Sequence, residues 1–119
     1  MEEKRMITRA NELNTFSKPF FDGKGEVQMR QVLQPEQFCG HGRLFNQVTI
    51  QPGCSLGWHT HQGESETYFL LQGKGLYSDN GKEVELEAGD CAYCPSGEGH
   101  SIENIGSEPL VFMALIVNA

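Results

Sequence analysis

The last long apolar run of the chain, Leu110-Val-Phe-Met-Ala-Leu-Ile-Val117, is eight residues long. That length suits a buried strand and falls far short of the roughly 18 residues of a membrane span. The remaining apolar stretches are shorter still and closely spaced. Gly25–Leu33 alternates in part and predicts a strand; Arg43–Gln51 predicts a second, ending at the turn signal Pro52-Gly53. Leu56–His61 reads as short and extended, and Ser65–Gln72 as a buried apolar and aromatic strand. Gly75–Ser78 and Lys82–Leu86 flank Asp79-Asn80-Gly81. Asn-Gly between two such runs predicts a hairpin, because a type I′ turn needs positive φ at both central residues. Asp90–Cys94, Gly99–Asn104 and Leu110–Val117 complete the set.

Eight to ten strands at this spacing predict an all-β domain, closed into a barrel or jelly roll rather than spread as an open sheet. Gln34–Gly42, with Pro35 and two glycines, predicts a loop. Residues 1–24 are less regular. Thr8–Leu13 has room for a helical turn, Lys18-Pro19 and Asp22-Gly23 interrupt regular structure, and Phe16, Phe20 and Phe21 have the character of anchors. The expected organisation is an N-terminal segment over residues 1–24, packed on the barrel or on a dimer partner, and one barrel domain over residues 25–119. Trp58 differs in parity from His59, so it should point outward and mark a dimer surface or a surface covered by the N-terminal segment.

Composition narrows the partners. A chain of 119 residues with formal net charge −7 and no basic cluster is a poor match for nucleic acid. No apolar run suits a membrane, and the polar start predicts no signal peptide, which favours the cytoplasm. In that setting Cys39, Cys54, Cys91 and Cys94 are expected as reduced thiols. Cys91 and Cys94 have CxxC spacing, but in a strand an odd separation sends them to opposite faces, which suits inert cysteine better than a metal pair.

The chemistry concentrates between Gly53 and Asn104. His59 and His61, at i and i+2 of an extended segment, project to one face. Glu66 follows a turn-like Gln62-Gly63, and His100 lies in a second compact stretch. Three imidazoles and a carboxylate suit manganese, iron, cobalt, nickel, copper or zinc. Around a divalent ion they leave a net charge of about +1, and two open positions if the ion is six-coordinate. Such a centre attracts an anionic bidentate ligand and can act as a Lewis acid. A four-coordinate zinc held by all four would be a closed structural site. Without any ion, the set would be buried without a counter-ion, which is costly.

The two stretches read Gly53-x5-His59-x-His61-x4-Glu66-x6-Gly73 and Gly89-x5-Pro95-x-Gly97-x2-His100-x3-Asn104, separated by fifteen residues. Position for position they resemble the two conserved boxes of the cupin family, over a little under half of the chain. The resemblance implies an all-β cupin-type double-stranded β-helix (jelly-roll barrel) in a single domain. It also implies one divalent transition metal ion inside, held by His59, His61, Glu66 and His100. Manganese or iron is expected first, with nickel, cobalt or zinc as alternatives. The second box and the Asn-Gly hairpin resemble those of single-domain, oxalate-decarboxylase-like microbial cupins. Two-domain oxalate decarboxylases place an arginine three residues before the first metal histidine, where this chain has Leu56, and no match to their lid glutamate is visible.

The expected protein is therefore a metal-binding cupin, acting on or binding a small anionic organic acid and forming a homodimer. The organic-acid enzyme reading is oxalate-decarboxylase-like or dioxygenase-like. The alternatives are a non-catalytic binding or sensor cupin and a non-redox isomerase or lyase. Catalytic candidates are Tyr68, Arg43 and His41. Tyr68 shares the inward parity of Glu66 and suits an aromatic core position equally well. Arg43, like Arg30, offers a bidentate grip on a carboxylate, with a surface salt bridge as the alternative. Gln47 is a further candidate for the mouth of the barrel. His41 lies in a glycine-rich loop, suited to acid–base work or to plain surface exposure.

Overall fold

The computed structural model describes residues 6–119. Residues 1–5, on which the expectation about the chain's start rests, lie outside the described residues. Ten strands form: β1 Thr15–Lys18, β2 Val27–Gln31, β3 Gly42–Ile50, β4 Ser55–Thr60, β5 Glu64–Gln72, β6 Lys74–Asp79, β7 Lys82–Glu87, β8 Cys91–Cys94, β9 Gly99–Asn104 and β10 Leu110–Asn118. Two short 3-10 turns, Ala10–Glu12 and Pro35–Phe38, are the helical structure among the described residues. None of it is long and apolar enough to cross a membrane. The strands make two antiparallel sheets, one in the order β1-β2-β3-β10-β5-β8 and the other β4-β9-β6-β7. The chain passes repeatedly from one sheet to the other, which gives the double-sheet jelly roll expected from the strand spacing.

Alternation decides what lies between the sheets. Along β10, Leu110, Phe112, Ala114 and Ile116 are buried; along β3, Asn46, Val48 and Ile50; along β5, Glu66, Tyr68 and Leu70. These inward residues, with Val27, Met29, Leu56, Tyr77, Ala92 and Ile102, form one core. Removing this much apolar surface from water is the main force closing the two sheets, at roughly 25 cal/mol per Å². The Asn-Gly hairpin forms as its chemistry predicts, with φ +52° at Asn80 and +105° at Gly81.

Three differences from the sequence reading stand out. Residues 15–18 add an edge strand, pairing Phe16 with Met29; with one apolar residue in four it carries no readable alternation. Gln47 and Arg30 pair with each other and lie out of phase with the buried Val48, Ile50 and Met29. They therefore face outward and do not line the mouth. Finally, β4 and β9 pair with a register shift between Leu56 and His59. That bulge is how a strand with Leu56 facing inward also turns His59 inward three residues later.

Candidate metal centre

The bulge sits at Gly57, where a side chain is impossible. A Cβ there would lie 2.0 Å from the Phe21 carbonyl oxygen. The turn Phe20–Gly23 folds down onto this point, closed by the Gly23 N–H donating to the Phe20 carbonyl at 2.9 Å, and the Gly57 N–H donates to the same carbonyl at 3.2 Å. Phe21 and Asp22 occupy its two central positions with φ of +54° and +59°, the left-handed conformation of a type I′ turn. The Phe21 ring consequently stacks on the His59 imidazole, with centroids 4.2 Å apart and planes 15° from parallel.

His59 from β4, His61 just beyond it, Glu66 from β5 and His100 from β9 meet inside the barrel, and all four are buried. One ligand atom from each lies within 4.8 Å of the others. Glu66 Oε1 is the common point, 3.3 Å from His59 Nε2, 2.9 Å from His61 Nε2 and 3.0 Å from His100 Nε2. His61 Nε2 and His100 Nε2 are 3.3 Å apart. Neighbouring ligands on an octahedral ion at ~2.1 Å are ~3.0 Å apart, and on a tetrahedral ion ~3.4 Å. Of these four spacings, 2.9 and 3.0 Å sit near the octahedral value and the two at 3.3 Å near the tetrahedral one.

The outer nitrogens show which atoms face inward as lone pairs. His59 Nδ1 is 2.9 Å from the Gly57 carbonyl oxygen. His61 Nδ1 is 2.8 Å from Glu64 Oε2. A carbonyl and a carboxylate only accept, so each Nδ1 carries the proton and donates it. His100 Nδ1 lies 2.8 Å from the Tyr77 hydroxyl. With Nδ1 protonated, a neutral imidazole presents its Nε2 lone pair to the centre. His59 and His61 therefore aim acceptors at a carboxylate oxygen, which is itself only an acceptor. A cation at their meeting point, or extra protons, must resolve this arrangement.

Extra protons are a poor solution. Hydrogen bonding to Glu66 raises the proton affinity of His61, against the opposing effect of burial, but burial drives the proton affinity of His100 down. Burial alone would raise the Glu66 carboxyl, yet the three imidazoles outweigh it and hold the group well below the usual carboxylate range. A fixed anion among nitrogens that do not all hold protons is the donor set a divalent cation completes. The residues present fit such an ion.

The shell around the ligands is built as carefully. Arg43 grips Glu64 through two hydrogen bonds, Nε to Oε1 at 2.8 Å and Nη2 to Oε2 at 2.7 Å. Chiefly through that grip, the Glu64 carboxyl is lowered to about 2. Arg43 thus acts on His61 through Glu64, and its guanidinium is engaged. Tyr68 is fully buried, with its ring stacked on His100 at 4.8 Å and 20°. Its hydroxyl is a buried polar atom with no hydrogen-bond partner. Burial, with the Glu66 charge next, pushes that hydroxyl far above the usual phenol value, so it stays a protonated donor.

His41 is exposed, in the loop before β3, and among the described residues nothing hydrogen-bonds to its imidazole. Trp58 points outward, 48% exposed, and with Phe21 lines a groove of about 470 Å³ on the four-stranded sheet. Cys91 is exposed and Cys94 buried, the opposite faces that strand parity predicts. Burial pushes the Cys94 thiol up to about 11, as suits an inert cysteine.

Glu64, Tyr77, the Gly57 carbonyl and Phe21 are site residues that the sequence reading missed. Glu64 was within reach, two residues before Glu66. The other three depend on how the two sheets meet.

Comparison with known proteins agrees with this geometry. The family model described as "Cupin domain" matches residues 46–117. An oxalate-binding protein of Thermotoga maritima is 47% identical over 80% of this chain and 78% of its own length. The crystal structure of a predicted oxalate decarboxylase from Thermotoga maritima superposes with a TM-score of 0.91 at 42% identity, covering 96% of this chain and 100% of that one. The oxalate decarboxylase of Bacillus subtilis is 36% identical over 57% of this chain, but over only 19% of that enzyme.

Proposed function

The chain belongs to the cupin family, and from that premise we propose that it binds a small organic acid, oxalate or a close relative, on one divalent transition metal ion. The observation that carries this reading is the convergence of three imidazole Nε2 atoms on Glu66 Oε1, at 2.9 to 3.3 Å. His59, His61, Glu66 and His100 would hold the ion. A mixed set of three imidazoles and one carboxylate suits manganese or iron with positions left open for the acid, whereas a closed tetrahedral zinc would leave none. A bound ion of this kind supplies Lewis acidity toward a carboxylate oxygen.

The chain's own residues do the rest. The Gly57 carbonyl, Glu64 and Tyr77 each engage a histidine Nδ1, which keeps every Nε2 turned inward. Arg43 fixes Glu64. The Tyr68 O–H, partnerless and buried beside Glu66, offers a donor to an oxygen of the bound acid. The oxalate-binding relative supports the choice of ligand class. Leu56, 3% exposed and part of the core, gives a carboxylate nothing to pair with, and His41 is remote from any hydrogen bond to the cluster. These features support binding ahead of turnover. Four free cysteines fit a reducing compartment such as the cytoplasm.

Decarboxylation is the second reading. The unpartnered Tyr68 hydroxyl favours it, since a group that donates to a bound oxygen can also deliver a proton.

Elemental analysis and calorimetry test the proposal together. The purified protein should carry about one transition metal per chain, and His59→Ala with His61→Ala should remove it. Oxalate should bind the loaded protein and bind neither the chelated protein nor the double variant. Unchanged metal in the double variant sinks the site, and oxalate binding that survives metal removal sinks the ligand reading. Formate release from oxalate would move the protein to the second reading.

A further inference from the structure

The outward face of the four-stranded sheet carries a row of side chains that the metal centre does not use. Two residues of β4, Gly57 and Trp58, fall opposite Ser101 of β9, because the strands are in step at Leu56–Ile102 and again at His59–His100. Ser101 pairs with Ser78 of β6, and Ser78 with Glu83 of β7. Trp58, Ser101, Ser78 and Glu83 therefore cross the sheet in one line. At ~4.8 Å per strand that line is ~14 Å long. It runs through the groove of about 470 Å³, which Phe21 and Lys24 also line. Trp58 is well seated in it. A Cβ at Gly99 would lie 2.5 Å from the indole Cζ2, so the ring rests on bare backbone while about half of it stays exposed. Phe21, also about half exposed, supplies a second aromatic wall.

Hydrogen-bonding capacity restricts what can lie there. Ser55 Oγ, on the same groove, accepts the Lys24 N–H at 2.8 Å, and Ser78 Oγ accepts the Gly81 N–H at 3.1 Å. Each hydroxyl thus has an acceptor role filled and its own O–H left to donate. The carboxylates of Asp22 and Glu83 offer acceptors alone. Lys24, the one cation lining the groove among the described residues, is held by Glu103 at 3.1 Å. Three carboxylates against one engaged ammonium turn an anion away. An ammonium ligand would satisfy the carboxylates but has nothing to accept the serine O–H groups. A hydroxyl both donates and accepts. We propose that this groove is a second ligand site, for a neutral carbohydrate chain. The apolar C–H face of a sugar ring stacks on Trp58, and the following hydroxyls bond to Ser101, Ser78 and Glu83 along the line. The inference does not rest on the metal reading, since the groove lies on the opposite side of β4 and β9 from His59 and His100.

Trp58 is the chain's single tryptophan, so its fluorescence reports on the groove alone. The full chain is titrated with neutral trisaccharides built from glucose, mannose, galactose or xylose. At least one of them should shift the emission saturably, at millimolar concentration or below. Calorimetry with the same sugar should find the same affinity with and without a chelator. Trp58→Ala should weaken it about tenfold, the upper value of an aromatic stack. Ser101→Ala removes one hydroxyl and leaves the aromatic walls. It should weaken binding several-fold, and it covers the case in which Trp58→Ala fails to fold. No saturable response to any of the trisaccharides overturns the proposal. So does sugar binding that the folded variants retain at full strength, sugar binding that a chelator abolishes, or a groove that takes spermidine or adenosine and no sugar.

Discussion

The interior of this barrel has two ends, and one strand joins them. Along the inward face of β5, Glu66, Tyr68 and Leu70 follow each other at two-residue spacing. Glu66 belongs to the polar cluster with His59, His61 and His100. Leu70 belongs to the apolar core with Ile50, Leu110 and Phe112. Tyr68 is the wall between them, with its ring on His100 at 4.8 Å on one side and on Phe112 at 4.5 Å on the other. The two ends obey different rules. The apolar end is favourable in itself, because its contacts replace water. The polar end buries a carboxylate against nitrogen lone pairs and is favourable only with a cation present. The fold should therefore stand on the apolar end, and the polar end should register what the barrel contains.

The comparison breaks most sharply at Phe112. Phe112→Ala removes a fully buried ring from the middle of the core and should destabilise the protein by about 3–5 kcal/mol in chemical denaturation. A loss under about 1 kcal/mol would mean that the barrel does not rest on this end. Metal addition probes the other end. At 100-fold excess over its dissociation constant, a bound ion should stabilise the protein by about 2.7 kcal/mol. The His59→Ala, His61→Ala variant should gain nothing from the same addition.

The two ends also differed in how much of them could be read beforehand. Strand spacing and the Asn80-Gly81 turn announced the barrel, because alternation and turn chemistry are local. The four residues of the cluster were legible because strand parity couples His59 to His61 and the box patterns tie both to Glu66 and His100. What escaped depends on tertiary register. Tyr77 reaches His100 because β6 lies beside β9, with Tyr77 opposite Ile102 and Asp79 opposite His100; nothing in the 22 residues between them says so. Gln47 was misjudged as a mouth residue because Leu44 and Phe45 obscure the phase that Val48 and Ile50 set. Phe21 escaped for a different reason. Asp22-Gly23 is a turn signal, but the positive φ angles fall on Phe21 and Asp22, and no sequence rule places a phenylalanine there.

Tyr77→Phe sharpens the comparison at the level of a single hydroxyl. It leaves the ring packed against the core and removes the partner of His100 Nδ1. Losing a second partner of this kind weakens metal affinity by about 10- to 100-fold, so the metal titration should shift by that factor. Apolar packing, read by near-ultraviolet circular dichroism, should hardly change. A shift under threefold would show that His100 needs no help in keeping its orientation.

The smallest effect on stability, and the one that separates access from strength, is expected at Phe21. Phe21→Gly loses the stack on His59, an aromatic contact of about 0.5–1.5 kcal/mol. It also relieves a left-handed conformation that disfavours any residue with a Cβ by roughly 1 kcal/mol. The two terms oppose each other, so net stability should change by less than about 1 kcal/mol. Access should respond differently. His59 is the most exposed of the four residues, and Phe21 covers that side. Removing the ring should leave the equilibrium constant for metal within about threefold while speeding both capture and release in stopped-flow exchange with a chelator, because a cover alters the barrier and leaves the four donor atoms in place. If affinity falls and exchange does not quicken, Phe21 holds His59 in position instead of screening it. The mouth of the barrel must then be sought on the side of Glu64 and Arg43, where an exposed ion pair is the outermost part of the site.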